Sequence, residues 1–155
     1  MTGPGSADRP PDAATWQAAH DMIAAHLEHD VVHEPWVQVV EYDASIPRWY
    51  VRFGCDGRDA ATIYFDLHQR TLRYEVYFLP DPPSGREDLY RFLLQCNHGT
   101  FGAHFSVGPD GDVYVVGRVL IDHLDPAALD RVLGTCYEVV ERWFQPAVRI
   151  AYRNT

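Results

Sequence analysis

Asn97-His98-Gly99-Thr100-Phe101-Gly102-Ala103-His104-Phe105-Ser106-Val107-Gly108-Pro109-Asp110-Gly111-Asp112-Val113-Tyr114-Val115-Val116 is the stretch whose reading decides the fold. Phe101, Ala103, Phe105 and Val107 alternate with Gly102, His104 and Ser106, the two-residue period of a strand with one buried face. Gly108-Pro109-Asp110-Gly111 interrupts that period. Proline at the second turn position and glycine at the fourth suit a type I turn closed by a glycine bulge. Val113 to Val119 returns as the partner strand. An Asp-Gly pair also occurs in calcium loops, but the spaced carboxylates of such a loop are lacking here, so turn chemistry explains it.

Downstream of this hairpin, Asp125-Pro126 opens a helix, with Asp as N-cap and Pro at the first helical position. Leu129, Val132, Leu133, Cys136, Tyr137, Val140, Trp143 and Phe144 follow at three- and four-residue steps, an apolar stripe facing a core. Pro146 is expected to kink or end this helix. Upstream, Ser84-Gly85-Arg86-Glu87 reads as a capping box in which Ser84 and Glu87 each bond the other's backbone amide. The helix it opens runs to about Cys96, with Asn97 and Gly99 suited to its end.

Four alternating segments precede that helix: Trp36 to Tyr42, Arg48 to Phe53, Ala61 to Leu67 and Thr71 to Leu79. Their links are short and rich in turn residues, so neighbouring strands are expected to be antiparallel. Asp12 caps a first helix over Ala13 to His29, whose stripe is Trp16, Ala19, Ile23 and Leu27. Residues 1–11 read as a disordered tail, leaving a single domain over 12–155. The predicted class is α+β: an antiparallel sheet with helices packed on one face, in the order α-β-β-β-β-α-β-β-α.

Composition bounds function. A chain of 155 residues with 46% hydrophobic content can bury a real core. A net charge of −9 argues against nucleic-acid and anionic-membrane partners, both of which need clustered cations. All thirteen basic residues are arginine, the codon signature of a GC-rich genome such as an actinobacterium's. Cys55, Cys96 and Cys136 form no paired motif, as expected of thiols in a reducing cytoplasm. No apolar run approaches the length of a membrane span, and a cytoplasmic location is expected.

The element order, the stretch from Asn97 to Phe105, the Asp-Gly hairpin and the Leu124-Asp125-Pro126-Ala127-Ala128-Leu129-Asp130-Arg131-Val132-Leu133-Gly134 helix start together resemble the YbjN-like domain family over about residues 13 to 148. That family is similar in fold to type III secretion chaperones: an antiparallel sheet with flanking helices, commonly dimeric. The resemblance implies protein binding, with some members described as sensory regulators, and it supplies no catalytic residues and no cofactor.

The residues themselves nominate a surface. If Trp49, Ile63, Phe65 and Val76 face the helices, then Tyr50, Tyr64, Tyr77 and Tyr114 share the opposite face, interleaved with Arg48, Arg52, Arg73 and Arg118. Tyrosine and arginine are enriched at protein interfaces and their hot spots, although tyrosine also suits any solvated sheet. The helix after Ser84 carries one stripe of Leu89, Phe92, Leu93 and Cys96 and a second of Tyr90 and Leu94. Covering the second stripe with a symmetry mate would give a homodimer.

His26, His29 and His33 lie near Glu28, Asp30 and Glu34, but the spacing reads better as a solvated helix end than as a metal site. No phosphate loop, dinucleotide fingerprint, nucleophile elbow or zinc motif occurs. The leading expectation is a non-enzymatic, protein-binding, chaperone-like or regulatory module. The alternative is a small-molecule-sensing or enzymatic domain with a pocket between sheet and helices, where His98, His104 and a carboxylate would converge.

Overall fold

Asp12 begins the folded chain: its carboxylate accepts the Thr15 backbone amide at 2.8 Å, satisfying a donor that a first helical turn leaves orphaned. This is a computed structural model, and it describes residues 11–153; the expected tail, apart from Pro11, and residues 154–155 lie outside the described residues. Helix α1 spans Ala13–Ala25. Its winding then widens into a π turn over His26–Asp30 and tightens into a 3₁₀ turn over Val31–His33. The chain thus stays helical past His29, which keeps Leu27 and Val31 in the core with Ala19 and Ile23. Pro35 disfavours the helical region for the residue before it, and Glu34 is extended at φ −66°, ψ 137°.

Strands β1 (Val37–Asp43), β2 (Arg48–Cys55), β3 (Arg58–Leu67) and β4 (Thr71–Leu79) follow, then helix α2 (Arg86–Gly99), strands β5 (His104–Val107) and β6 (Val113–Leu120), and helix α3 (Pro126–Ala151). The six strands form one sheet in the order β1-β2-β3-β4-β6-β5, and every neighbouring pair is antiparallel. The α+β architecture and its element order are those read from the sequence.

Trp49, Val51, Phe53, Ile63, Phe65 and Val76 point inward and are fully buried. Against them α3 sets Leu129, Leu133, Cys136 and Val140. Each large side chain so buried contributes roughly 1.5–3 kcal/mol. Phe78 joins the last hairpin to α3, with ring centroids 4.8 Å from Phe105 and 5.7 Å from Phe144. The hairpin turn is as expected: the Gly111 amide donates to the Gly108 carbonyl at 3.0 Å and the Gly108 amide to Asp112 at 2.8 Å. Gly111 sits at φ +90°, where a Cβ would also stand 2.6 Å from the Asp81 side chain.

Three local expectations fail. The capping box does not form: Gly85 is the N-cap of α2, and the Ser84 hydroxyl donates instead to the Ala151 carbonyl at 2.9 Å, serving an orphan acceptor at the end of α3. Phe101 is not in the strand. Gly102 at φ +86° turns the chain before β5 starts, and Phe101 is left 94% exposed. Pro146 does not end α3, which continues to Ala151. Ala147 and Ala151 beyond it are buried, and Val148 and Ile150 pack on the core. That burial offsets an interior proline's cost of about 3 kcal/mol.

Candidate functional site

Strand alternation sends Tyr50, Tyr64, Tyr77 and Tyr114 away from the helices, and the register brings them into two pairs. Tyr50 lies directly opposite Tyr64 and Tyr77 opposite Tyr114. Both pairs meet edge to face, with centroids 5.3 Å and 5.6 Å apart. One cross-strand row reads Glu41, Tyr50, Tyr64, Glu75, Val116 and His104 across all six strands. The adjacent row reads Asp43, Arg48, Asp66, Arg73 and Arg118.

The structure therefore gathers all eight nominated residues on one face that no helix among the described residues covers, and it pairs carboxylates with the arginines there. Arg48 forks onto Asp66 through Nε and Nη2, the second contact at 3.1 Å. That pairing holds the Arg48 guanidinium further into its charged form than an isolated arginine. The same guanidinium lies 5.8 Å from the centre of the Tyr50 ring and 5.7 Å from that of Tyr64. Arg73 pairs with Glu75, and Arg52 donates to the Gln38 side chain at 3.1 Å. Arg118 is exposed and directly opposite Arg73, so the arginines of this end of the face stand among carboxylates. What the face offers is stacking surface edged by arginines, of which Arg48, Arg52 and Arg73 are engaged by neighbouring side chains.

Arg58, which the sequence did not single out, is structural. Its guanidinium donates to the Tyr77 and Phe78 carbonyls at 3.1 and 3.2 Å, bracing the bulge in β4, and lies 4.6 Å over the Phe144 ring.

His98 and His104 do not converge on a pocket between sheet and helices: each is exposed, one near the end of α2 and the other on β5. His26 is not a freely solvated helix end. Its side chain is 11% exposed, its ring meeting Asp130 on α3 at 2.7 Å and Asp30 at 3.2 Å. His29 and His33 remain exposed. Among the described residues no group of three His, Cys, Asp or Glu side chains is placed to hold a metal ion. The three cysteines are free, and burial raises each thiol, Cys136 to about 12, which keeps them protonated and poorly nucleophilic.

On α2, Leu94 is 67% exposed and Tyr90 half-buried. With Leu93, Asn97, Phe105, Ser106 and Val107 they line an apolar groove of about 260 Å³ beside the edge strand β5. The Asn97 side chain fixes that strand to the helix, accepting from the Phe105 amide at 2.7 Å and donating to its carbonyl at 3.2 Å.

The YbjN family, described as "Putative bacterial sensory transduction regulator", matches residues 20–147. The chain belongs to the YbjN family. Uncharacterised proteins of Mycobacterium tuberculosis and Mycobacterium leprae are similar to it, the first 33% identical over 87 residues, 56% of this chain and 48% of the relative. The second is 31% identical over 89 residues, 57% of this chain and 48% of the relative. The match thus spans about half the length of these relatives, whose mycobacterial origin accords with the actinobacterial reading of the all-arginine composition. Among solved structures, a chain of the HopA1–SchA chaperone–effector complex has the same fold, with a TM-score of 0.53 at 16% identity, covering 88% of this chain and 99% of that one. The type III secretion chaperone SycH of Yersinia pestis, in complex with a fragment of YscM2, aligns at a TM-score of 0.46 and 11% identity over 87% and 98% of the two chains. This YbjN-family chain therefore shares its fold with a chain of the HopA1–SchA chaperone–effector complex. No helix among the described residues is long and apolar enough to cross a membrane.

Proposed function

We propose that this chain is a chaperone-like or regulatory binding module of the cytoplasm that holds a segment of a partner protein on its outward sheet face. The observation that carries the reading is the pair of edge-to-face tyrosine couples on a six-stranded face covered by no helix among the described residues, flanked by arginines. Rigid aromatic side chains offer large contact area at small entropic cost, and arginine offers bidentate donors. The neighbour in the HopA1–SchA structure belongs to a chaperone–effector complex, which motivates a polypeptide as the occupant. The acidic remainder repels nucleic acid.

The module is further proposed to work as a homodimer through the α2 groove around Tyr90 and Leu94.

Affinity capture from an extract, with and without Tyr50→Ser plus Tyr77→Ser, tests the sheet-face reading. A partner enriched in near-stoichiometric amount is expected to be lost from the double variant while far-ultraviolet circular dichroism stays unchanged. Retention of that partner by the folded double variant would remove the tyrosine face from the mechanism.

A further inference from the structure

A second constellation lies on the helical side of the sheet and is independent of the tyrosine face. It is a cavity of about 450 Å³ where the start of β1 meets α3. Trp36 and Tyr137 form its aromatic corner, their centroids 5.5 Å apart at an interplanar angle of 62°. Val31 and Leu133, both buried, lie beneath. Two carboxylates, Glu34 and Asp130, stand at the rim. Pro35 explains the first of them, because the extended backbone at Glu34 carries the chain from the 3₁₀ turn toward β1 and leaves this side chain exposed. Asp130 engages His26 through Oδ1, whereas the Glu34 carboxylate has no hydrogen-bonding partner among the described residues.

A separate observation marks the same place. Gly134 lies inside α3, where glycine is the least favourable residue after proline. A Cβ there would meet nothing within 4 Å, so no contact among the described residues demands glycine. Its effect is to leave the wall of the cavity bare. The surroundings are also acidic: the Tyr137 hydroxyl is raised first by burial and then by the carboxylates of Glu141 and Asp56, and the whole chain carries a charge of −9.

Aromatic faces are electron-rich and attract cations placed over them, most strongly over tryptophan. A carboxylate without a partner at the rim of such a corner completes the pattern. An anion would be repelled, and a neutral guest would leave the carboxylate unmatched. We propose that this pocket binds a guanidinium or ammonium group carried on an aliphatic stem, the head against Trp36, Tyr137 and Glu34 and the stem over Val31 and Leu133. Two sources supply that chemistry: a free organic amine, or a basic side chain on a polypeptide.

The test uses the full chain and follows the Trp36 indole resonance, assigned with Trp36→Phe, during titration with agmatine, with capped Ala-Arg-Ala and with capped Ala-citrulline-Ala. Citrulline keeps the shape of arginine without its charge. Saturable shifts from the two cationic probes and none from the citrulline peptide are expected. Glu34→Gln should weaken binding about two- to fivefold, the size of one exposed charge contact. Gly134→Leu should fill the cavity and abolish binding. Glu34 is exposed and Gly134 faces open space, so Glu34→Gln should unfold near the wild-type temperature and Gly134→Leu at or above it, leucine being the better helix former. Tighter binding of agmatine would identify a free amine, and tighter binding of the arginine peptide a polypeptide side chain. Equal shifts from arginine and citrulline peptides, no saturation by either cation, or unchanged affinity in Glu34→Gln would overturn the proposal. Because no probe touches the sheet face, such a failure leaves the partner-binding reading standing, and the reverse also holds.

Discussion

Tyr74 shows how one side chain can fix the choice at another position. It is buried on β4 and directly opposite Gly117 on β6, with its phenol ring lying across that glycine. A Cβ at Gly117 would fall inside contact distance of ring carbons and hydroxyl alike. The hydroxyl donates to the Gly102 carbonyl, so the ring cannot swing away without losing that bond. Burial pushes this phenol up to about 12, so it remains the neutral donor at all ordinary pH. The sheet thus exchanges a strand residue at position 117 for an aromatic cover over bare backbone. Gly117→Ala is accordingly expected to destabilise the fold by about 1–3 kcal/mol, the cost of overpacking a filled site. Urea unfolding reads this directly, and an unchanged midpoint would mean that the ring has room to move.

At the scale of the element, the caps separate what a sequence discloses from what it withholds. Asp125 accepts the Ala128 amide at 2.7 Å and Asp12 the Thr15 amide at 2.8 Å, both within three residues. Such bonds are local, so the sequence rule finds them. Asp125→Ala should cost about 0.5–2 kcal/mol, seen as a lower unfolding midpoint with an unchanged native spectrum; no shift would show that the first turn of α3 is held by packing alone. Ser84 follows the same local grammar, yet its hydroxyl serves a carbonyl at Ala151, a partner that only the tertiary fold supplies. Phe101 continues the alternation of β5 on paper, but the positive φ of Gly102 ends the strand first. The tyrosine–arginine face was legible because a period of two assigns faces without any knowledge of pairing. Its internal ion pairs, such as Arg48 with Asp66, depend on register and were not. The aromatic pocket beside Glu34 was less legible still, because residues 31–36 and 130–137 meet only after the sheet and α3 have come together.

The whole molecule poses the question of assembly. A six-stranded open sheet has two edges, and here they are β1 and the four-residue β5. Unpaired edges invite association unless they are blunted or covered. β5 borders the apolar groove that ends in Leu94, and Val107 beside it is 48% exposed. In a two-fold assembly each copy would present the same groove to the other, covering Leu94 and Val107 of both at once and meeting the free edge of β5 with its symmetry equivalent. The tyrosine face would stay open on each subunit, doubling the sites available to a partner. Light scattering at micromolar concentration is expected to give twice the mass of one chain for the natural sequence. Leu94→Glu would bury two like charges about the axis and should return a monomer with unchanged secondary structure. A monomeric natural protein, or a Leu94→Glu variant that still dimerises, would exclude this groove as the contact and turn attention to the β1 edge, where Val39 is the exposed apolar side chain.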